Sequence, residues 1–169
     1  GKLVAAVGTA GSVQLWNTAD GRAIGFEIKD QFGLTTAAFS PDSTDLAVGD
    51  KEGAITVRDI ASGRVIAKLE GHGGPVNNLA YAPNGRRLFS GGEDRLVRVW
   101  QVDLASELTA FAGHVAPVRA LAVGPDGLRV ASGSEDGTAT IWEVSLPSAR
   151  SFLHGPIRAS WARATTFPN

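Results

Sequence analysis

Residues Gly113 to Glu143 read GHVAPVRALAVGPDGLRVASGSEDGTATIWE, and residues Gly71 to Gln101 read GHGGPVNNLAYAPNGRRLFSGGEDRLVRVWQ. The two stretches lie 42 residues apart and align without a gap. Gly71-His72 falls on Gly113-His114, Pro75-Val76 on Pro117-Val118, Ser90-Gly91 on Ser132-Gly133, Asp94 on Asp136 and Trp100 on Trp142. The same step continues outward. It links Trp16 to Arg58 and then to Trp100, and it links Ser40-Pro41-Asp42 to Ala82-Pro83-Asn84 and Gly124-Pro125-Asp126. So many kinds of feature sharing one period make the chain an internal repeat.

Each unit reads as β structure. Short runs rich in Val, Ile, Leu and aromatics alternate with Gly, Pro, Asn and Asp clusters. In the unit beginning at Gly71 the expected strands are Val76–Ala82, Arg87–Gly92, Leu96–Gln101 and Glu107–Ala112. Pro83-Asn84-Gly85 and Glu93-Asp94-Arg95 supply the turns, because Asn, Asp and Gly tolerate positive φ or bond their own backbone. No long stretch carries a 3.6-residue period, so helix is not expected. A single four-stranded meander has two apolar faces and cannot bury both. Stacking neighbours around an axis buries them, which makes an all-β propeller of four-stranded antiparallel blades.

These residues resemble the WD40 repeat family: Gly-His, Pro-Val, the Pro-Asp-Gly turn, Ser-Gly-Ser-x-Asp-Gly and Ile-Trp follow in order between Gly113 and Glu143. The Trp-Asp pair of that family stands here only in altered form, as Trp16-Asn17, Arg58-Asp59, Trp100-Gln101 and Trp142-Glu143. Four blades' worth of strands are expected. Residues 1–28 form the outer three strands of blade 1, 29–70 blade 2, 71–112 blade 3 and 113–154 blade 4. Residues 155–169 form an inner strand, at Ile157–Trp161, that closes blade 1 or starts a further blade. Gly1 is not an initiating Met, and the chain is expected to be a piece of a longer protein. A larger parent propeller, two chains in one ring and a four-bladed monomer stay open as ways of closing it. Self-association to complete the ring is therefore a partner expectation.

His72, Ser90 and Asp94, and again His114, Ser132 and Asp136, invite a triad reading. The resemblance implies instead a structural hydrogen-bonded tetrad in each blade, with Trp100 and Trp142 as fourth members. An indole only donates, a hydroxyl does both, and imidazole bridges hydroxyl to carboxylate. Two copies of one set suit a per-blade device better than one active site. Blade 2 departs from the pattern: Asp30, Val48, Glu52 and Arg58 stand at the His, Ser, Asp and Trp positions. Asp30, Glu52 and Arg58 read as a substitute ionic cluster, with Arg58 serving two carboxylates, or else Arg58 snorkels outward. Blade 1 has Ala6 and Ala10 at the Ser and Asp positions, which leaves Trp16 without a tetrad.

The 169 residues carry 16 Lys and Arg against 17 Asp and Glu, a net charge of −1, which excludes a chain-wide grip on nucleic acid or anionic lipid. No apolar run is long enough to span a membrane. With no cysteine there is no thiolate ligand or nucleophile. His72, His114 and His154 fall on different blades, so no metal site is expected. The Gly-rich stretches Gly71–Gly74 and Gly91-Gly92 precede no helix and are not phosphate loops, and no cofactor is expected. Phe152, Trp161 and Phe167 read as packing between blades.

On the family's usual geometry, one loop face gathers Gln31–Gly33, Gly73-Gly74, Val115-Ala116 and the turns around residues 50–53, 93–95 and 134–137. Asp50, Lys51, Glu52, Glu93, Arg95 and Glu135 form a mildly acidic rim there, suited to a basic or mixed peptide. Solvation of the turns alone is the competing account of these charges. The expected function is a non-catalytic protein–protein interaction scaffold with protein or peptide partners. The alternative is a propeller hydrolase or lactonase. That enzyme would need acids or histidines on the innermost strands, where Ala37-Ala38, Leu79-Ala80 and Leu121-Ala122 stand. The cytoplasm is the expected compartment.

Overall fold

The computed structural model describes residues 2–8, 12–29, 33–144 and 164–168, with backbone alone for 25–29 and 164–168. Among these residues there are only strands and turns. Blade 1 holds β1 (Leu3–Gly8), β2 (Ser12–Asn17) and β3 (Ala23–Lys29) in that order. Blade 2 holds β4 (Leu34–Phe39), β5 (Asp45–Asp50), β6 (Ala54–Asp59) and β7 (Val65–Glu70). Blade 3 holds β8 (Val76–Tyr81), β9 (Arg87–Gly92), β10 (Val97–Gln101) and β11 (Ser106–Phe111). Blade 4 holds β12 (Val118–Val123), β13 (Arg129–Ser134), β14 (Thr138–Glu143) and β15 (Ala164–Pro168). Every strand pairs antiparallel with its sequence neighbour inside its own sheet; the links up to β14 are short turns that favour this pairing, and β15 joins β14 across a longer connection.

The 42-residue period is written into the backbone bonds. Thr18 donates to Lys2, Ile60 to Thr44, Val102 to Arg86 and Val144 to Leu128, which ties the link after each third strand to the turn before each second strand. The turns between first and second strands repeat too: Ser43, Gly85 and Gly127 occupy the same position with φ of 61°, 70° and 65°. Glycine takes this left-handed conformation freely, whereas Ser43 carries a Cβ into it.

Three apolar clusters lie between successive sheets. Val13 and Leu15 of blade 1 meet Leu46, Val48 and Ile60 of blade 2. Ile55, Val57 and Leu69 of blade 2 meet Val76, Leu88 and Trp100 of blade 3. Phe89, Val97 and Phe111 of blade 3 meet Val118, Val130 and Trp142 of blade 4. A close approach at a glycine permits the second and third of these contacts. A Cβ on Gly91 would stand 2.6 Å from Cγ1 of Val118, and one on Gly49 would stand 2.8 Å from Cβ of Val76. Val4 is 50% exposed while its repeat equivalents Leu46, Leu88 and Val130 are all 0%. Ile141 is 41% exposed where Val57 and Val99 are 0%. The faces of blades 1 and 4 that have no neighbour among the described residues are therefore apolar and open.

One boundary differs from the sequence expectation. Blade 4 is expected to end at residue 154, but Ala164–Pro168 pairs with β14, Thr138 opposite Pro168 and Trp142 opposite Ala164. This segment takes the outermost place in blade 4, where it fills the unpaired edge of β14. The strand expected at Ile157–Trp161, together with Phe152 and His154, lies outside the described residues.

Candidate functional site

In blade 3, Ser90 on β9 sits at the hub of a chain of bonds. The indole Nε1 of Trp100 on β10 donates to Ser90 Oγ at 2.7 Å. The hydroxyl turns its proton to His72 Nε2 at 2.7 Å, and His72 Nδ1 faces Asp94 Oδ1 at 2.8 Å. The direction of donation follows from the first step: since the indole occupies the serine's acceptor side, the hydroxyl proton points at the imidazole. His72 is then the neutral tautomer with its proton on Nδ1. Asp94 also accepts the backbone N–H of Gly73 at 3.1 Å and of Leu96 at 3.2 Å. The chain thus ties the loop before β8 to the β9–β10 turn.

Blade 4 repeats the arrangement. Trp142 Nε1 donates to Ser132 Oγ at 2.7 Å, His114 Nε2 lies 2.8 Å from that oxygen, and His114 Nδ1 lies 2.9 Å from Asp136. Val115 N–H and the Thr138 hydroxyl complete the shell of Asp136, at 3.0 and 2.6 Å. In blade 3, where Thr138 has no counterpart, Arg98 reaches Asp94 at 3.5 Å and pairs with Glu107.

Burial sets the protonation states. It disfavours the charged imidazole and holds His72 below its ordinary value of 6.5, against the pull of Asp94. Burial by itself would raise Asp94, but the His72 bond and the two backbone N–H groups outweigh it and hold the carboxyl low. Asp136 is held low chiefly by the Thr138 hydroxyl.

The Ser-His-Asp order matches a nucleophilic triad, but the surroundings do not. Ser90 is 0% exposed and Ser132 2% exposed, and each hydroxyl already accepts an indole proton. Ser132 Oγ also lies 3.5 Å from the backbone carbonyl of Thr140, which encloses it further. Among the described residues no group of three or more His, Asp or Glu side chains could hold a metal ion. The innermost strands present one charged side chain there, Arg119, and no acid or histidine.

Blade 2 does not assemble the expected ionic cluster. Asp30 lies outside the described residues, and Glu52 is exposed and forms no ion pair with Arg58. The Arg58 guanidinium donates instead to the carbonyl of Gly63 at 3.1 Å, while its Nε is buried without a partner. The reason lies two residues before Glu52. Asp50 Oδ1 accepts the N–H groups of Glu52 and Ala54, both at 2.9 Å, and so closes the β5–β6 turn from within. Asp50 is consequently 6% exposed and is no part of a rim.

The remaining rim residues Lys51, Glu52, Glu93, Arg95 and Glu135 are exposed. They are joined by Arg119, which the sequence reading missed. Arg119 holds Glu135 at 2.7 Å and Glu93 of the preceding blade at 2.9 Å. Three carboxylates therefore face three cations, and the rim is mixed where it was expected to be acidic. Arg119 occupies a bulge: Val118 pairs with Ser134 and Ala120 with Gly133, which leaves Arg119 unpaired. Thr35 and Asn77 occupy the same bulge in blades 2 and 3. A bulge re-aims its side chain, and here Thr35 donates to Val76 O and Asn77 to Val118 O, each on the next blade. A polar residue at one repeat position in three blades was the available signal.

The comparison with known families agrees with this geometry: the family WD40, described as WD domain, G-beta repeat, matches residues 63–101 and 105–143. The chain carries WD40 repeats. A relative from Schizosaccharomyces pombe strain 972, Meiotic fizzy-related protein 1, is 37% identical over 73 residues. That alignment covers 41% of this chain and 17% of the relative's length. The two matched WD40 segments run from the link before β7 to the end of β10, and from the link before β11 to the end of β14, so they include both Trp–Ser–His–Asp sets whole.

Proposed function

We propose that this WD40 chain is a non-catalytic scaffold that presents its loop rim to protein or peptide partners. WD40 repeats act as protein-interaction scaffolds at the level of the family, and a WD-repeat relative matches here. The observation that carries the proposal is the use made of the polar groups. The tetrads spend Ser, His and Asp on anchoring the turns that display Glu93, Arg95 and Glu135, with both serine oxygens sealed from substrate. Anchored turns lose little freedom on binding, which favours recognition by preorganisation. The mixed charge of the rim suits a peptide carrying both signs.

The test is a charge-pattern peptide array on the purified protein, read against a triple variant Glu52→Gln, Glu93→Gln, Arg95→Gln. Peptides of mixed charge that bind the wild-type chain and lose binding to the variant support the reading. Binding indifferent to the variant refutes it, as does turnover of ester substrates by the wild-type chain that Ser90→Ala or Ser132→Ala abolishes.

A further inference from the structure

The end of the strands opposite the rim holds a feature that the scaffold reading does not use. Between blades 2 and 3 a cavity of 330 Å³ is bordered by Asp42, Asp45, Ile66, Arg86, Val102 and Asp103. A second, of 520 Å³, continues from it past Asp59, Arg64 and Val65, and the two share Asp45 and Ile66. Both volumes fall within the range of about 300–1,000 Å³ usual for ligand sites. The joined groove carries four carboxylates against two guanidinium groups. None of those carboxylates forms an ion pair among the described residues.

A second observation concerns register. Asp45 stands directly opposite Asp59 across β5 and β6. Like charges so placed are destabilising. In blade 4 the equivalent pair is Arg129 opposite Glu143, and in blade 3 it is Arg87 opposite Gln101. Blade 2 alone among these three has two acids and no cation at this position. Burial and then the charges of Asp42 and Asp59 raise the Asp45 carboxyl. Asp59 and Asp42 spend their oxygens on the turn residues Ser62 and Thr44, which leaves the shared charge uncompensated. Nearby, Tyr81 stands where other blades carry Phe39 and Val123, and its hydroxyl oxygen is buried without a partner.

The groove also has an apolar wall. Ile66 is 51% exposed and Val65 40%, both on the outermost strand of blade 2. The carboxylates are too dispersed to converge on a metal ion, since no group of three qualifies. An organic cation with an alkyl stem satisfies both halves: its head supplies the missing charge and its stem covers Ile66 and Val102. Arginine, with a forked donor set, can serve two carboxylates at once.

We propose that this groove is a second docking site, which takes an arginine-bearing peptide segment with an adjacent aliphatic residue. It lies at the far end of the strands from the rim, so its failure leaves the rim reading standing.

The experiment is a fluorescence-anisotropy titration of the full chain with a labelled peptide of alternating arginine and leucine. A glutamate–leucine peptide of equal length and spermidine serve as comparisons. The expected result is selective binding of the arginine–leucine peptide, weakened at least about tenfold by Asp45→Asn with Asp103→Asn. Ile66→Ser weakens it about fivefold, and the rim variant leaves it unchanged. Removing a like-charge pair does not threaten the fold, and a melting temperature of Asp45→Asn equal to or above wild type verifies that. The proposal is overturned if the arginine–leucine peptide fails to bind, if the glutamate–leucine peptide binds equally, if the aspartate variants bind as wild type does, or if spermidine binds as tightly, which would make the apolar wall irrelevant.

Discussion

Replacing Ser90 with alanine removes one oxygen and strands two groups. The Trp100 indole N–H loses its acceptor at 2.7 Å, and His72 Nε2 loses its donor at 2.7 Å. Neither finds water, since the site is 0% exposed. The imidazole cannot move its proton to Nε2 in compensation, because a bare Nδ1 would then face the Asp94 carboxylate. Each unsatisfied buried group costs about 1–3 kcal/mol, which puts Ser90→Ala at roughly 2–6 kcal/mol. For a chain of this size about 1 kcal/mol corresponds to 2–4 °C, so the melting temperature falls by at least about 4 °C. Calorimetry and urea unfolding both read this. Trp100→Phe supplies the control, since deleting the indole donor removes one of the two stranded groups. In the Ser90→Ala background it costs about 1 kcal/mol less than in the wild type. A Ser90→Ala cost below about 0.5 kcal/mol, or strictly additive single costs, would refute the account of a chained network.

Further predictions follow from other parts of the fold. His72 binds its proton less readily folded than unfolded, and Asp94 releases its own more readily, so both make stability fall with falling pH. The His72 share is whole above pH 6.5 and is lost progressively below it, the Asp94 share is lost below pH 3.8, and His72→Gln flattens the melting-temperature profile just below pH 6.5. Gly91→Ala drives a Cβ into Val118, costing about 1–3 kcal/mol, and Val118→Ala in the same chain recovers part of that loss in a urea melt. Ser43→Gly relieves the left-handed backbone and raises stability by about 0.5–1 kcal/mol. Light scattering after size exclusion reads the open faces: Val4→Asp with Ile141→Asp abolishes any self-association the wild-type chain displays.

The strands and their order were legible because the period of two within each run, the turn residues and the 42-residue step all agree. Arg87–Gly92 occupies the expected position residue for residue, and the other strands of blade 3 shift by one at their ends. The tetrad residues were legible because two blades carry identical types at identical spacing. Asp50 was misread because an acid beside a turn is ordinarily exposed, and only the bonds to Glu52 and Ala54 show it turned inward. Arg119 was missed for the opposite reason: Thr35, Asn77 and Arg119 share a place and polarity but no side-chain type. The groove between blades 2 and 3 was invisible because it depends on which acids the register sets opposite one another.

Each complete junction between blades is a key and a slot, a valine of one sheet lodged over a glycine of the one before: Val76 over Gly49 and Val118 over Gly91. A 42-residue unit contains both halves, the key near its start and the slot some fifteen residues on. A duplicated unit inserted in frame therefore arrives already fitted to both neighbours, and an excised one leaves ends that still match. Blade number in such a chain can change by whole-unit gain or loss without the interfaces being reinvented, whereas one residue added inside a strand would turn its key or slot to the opposite face.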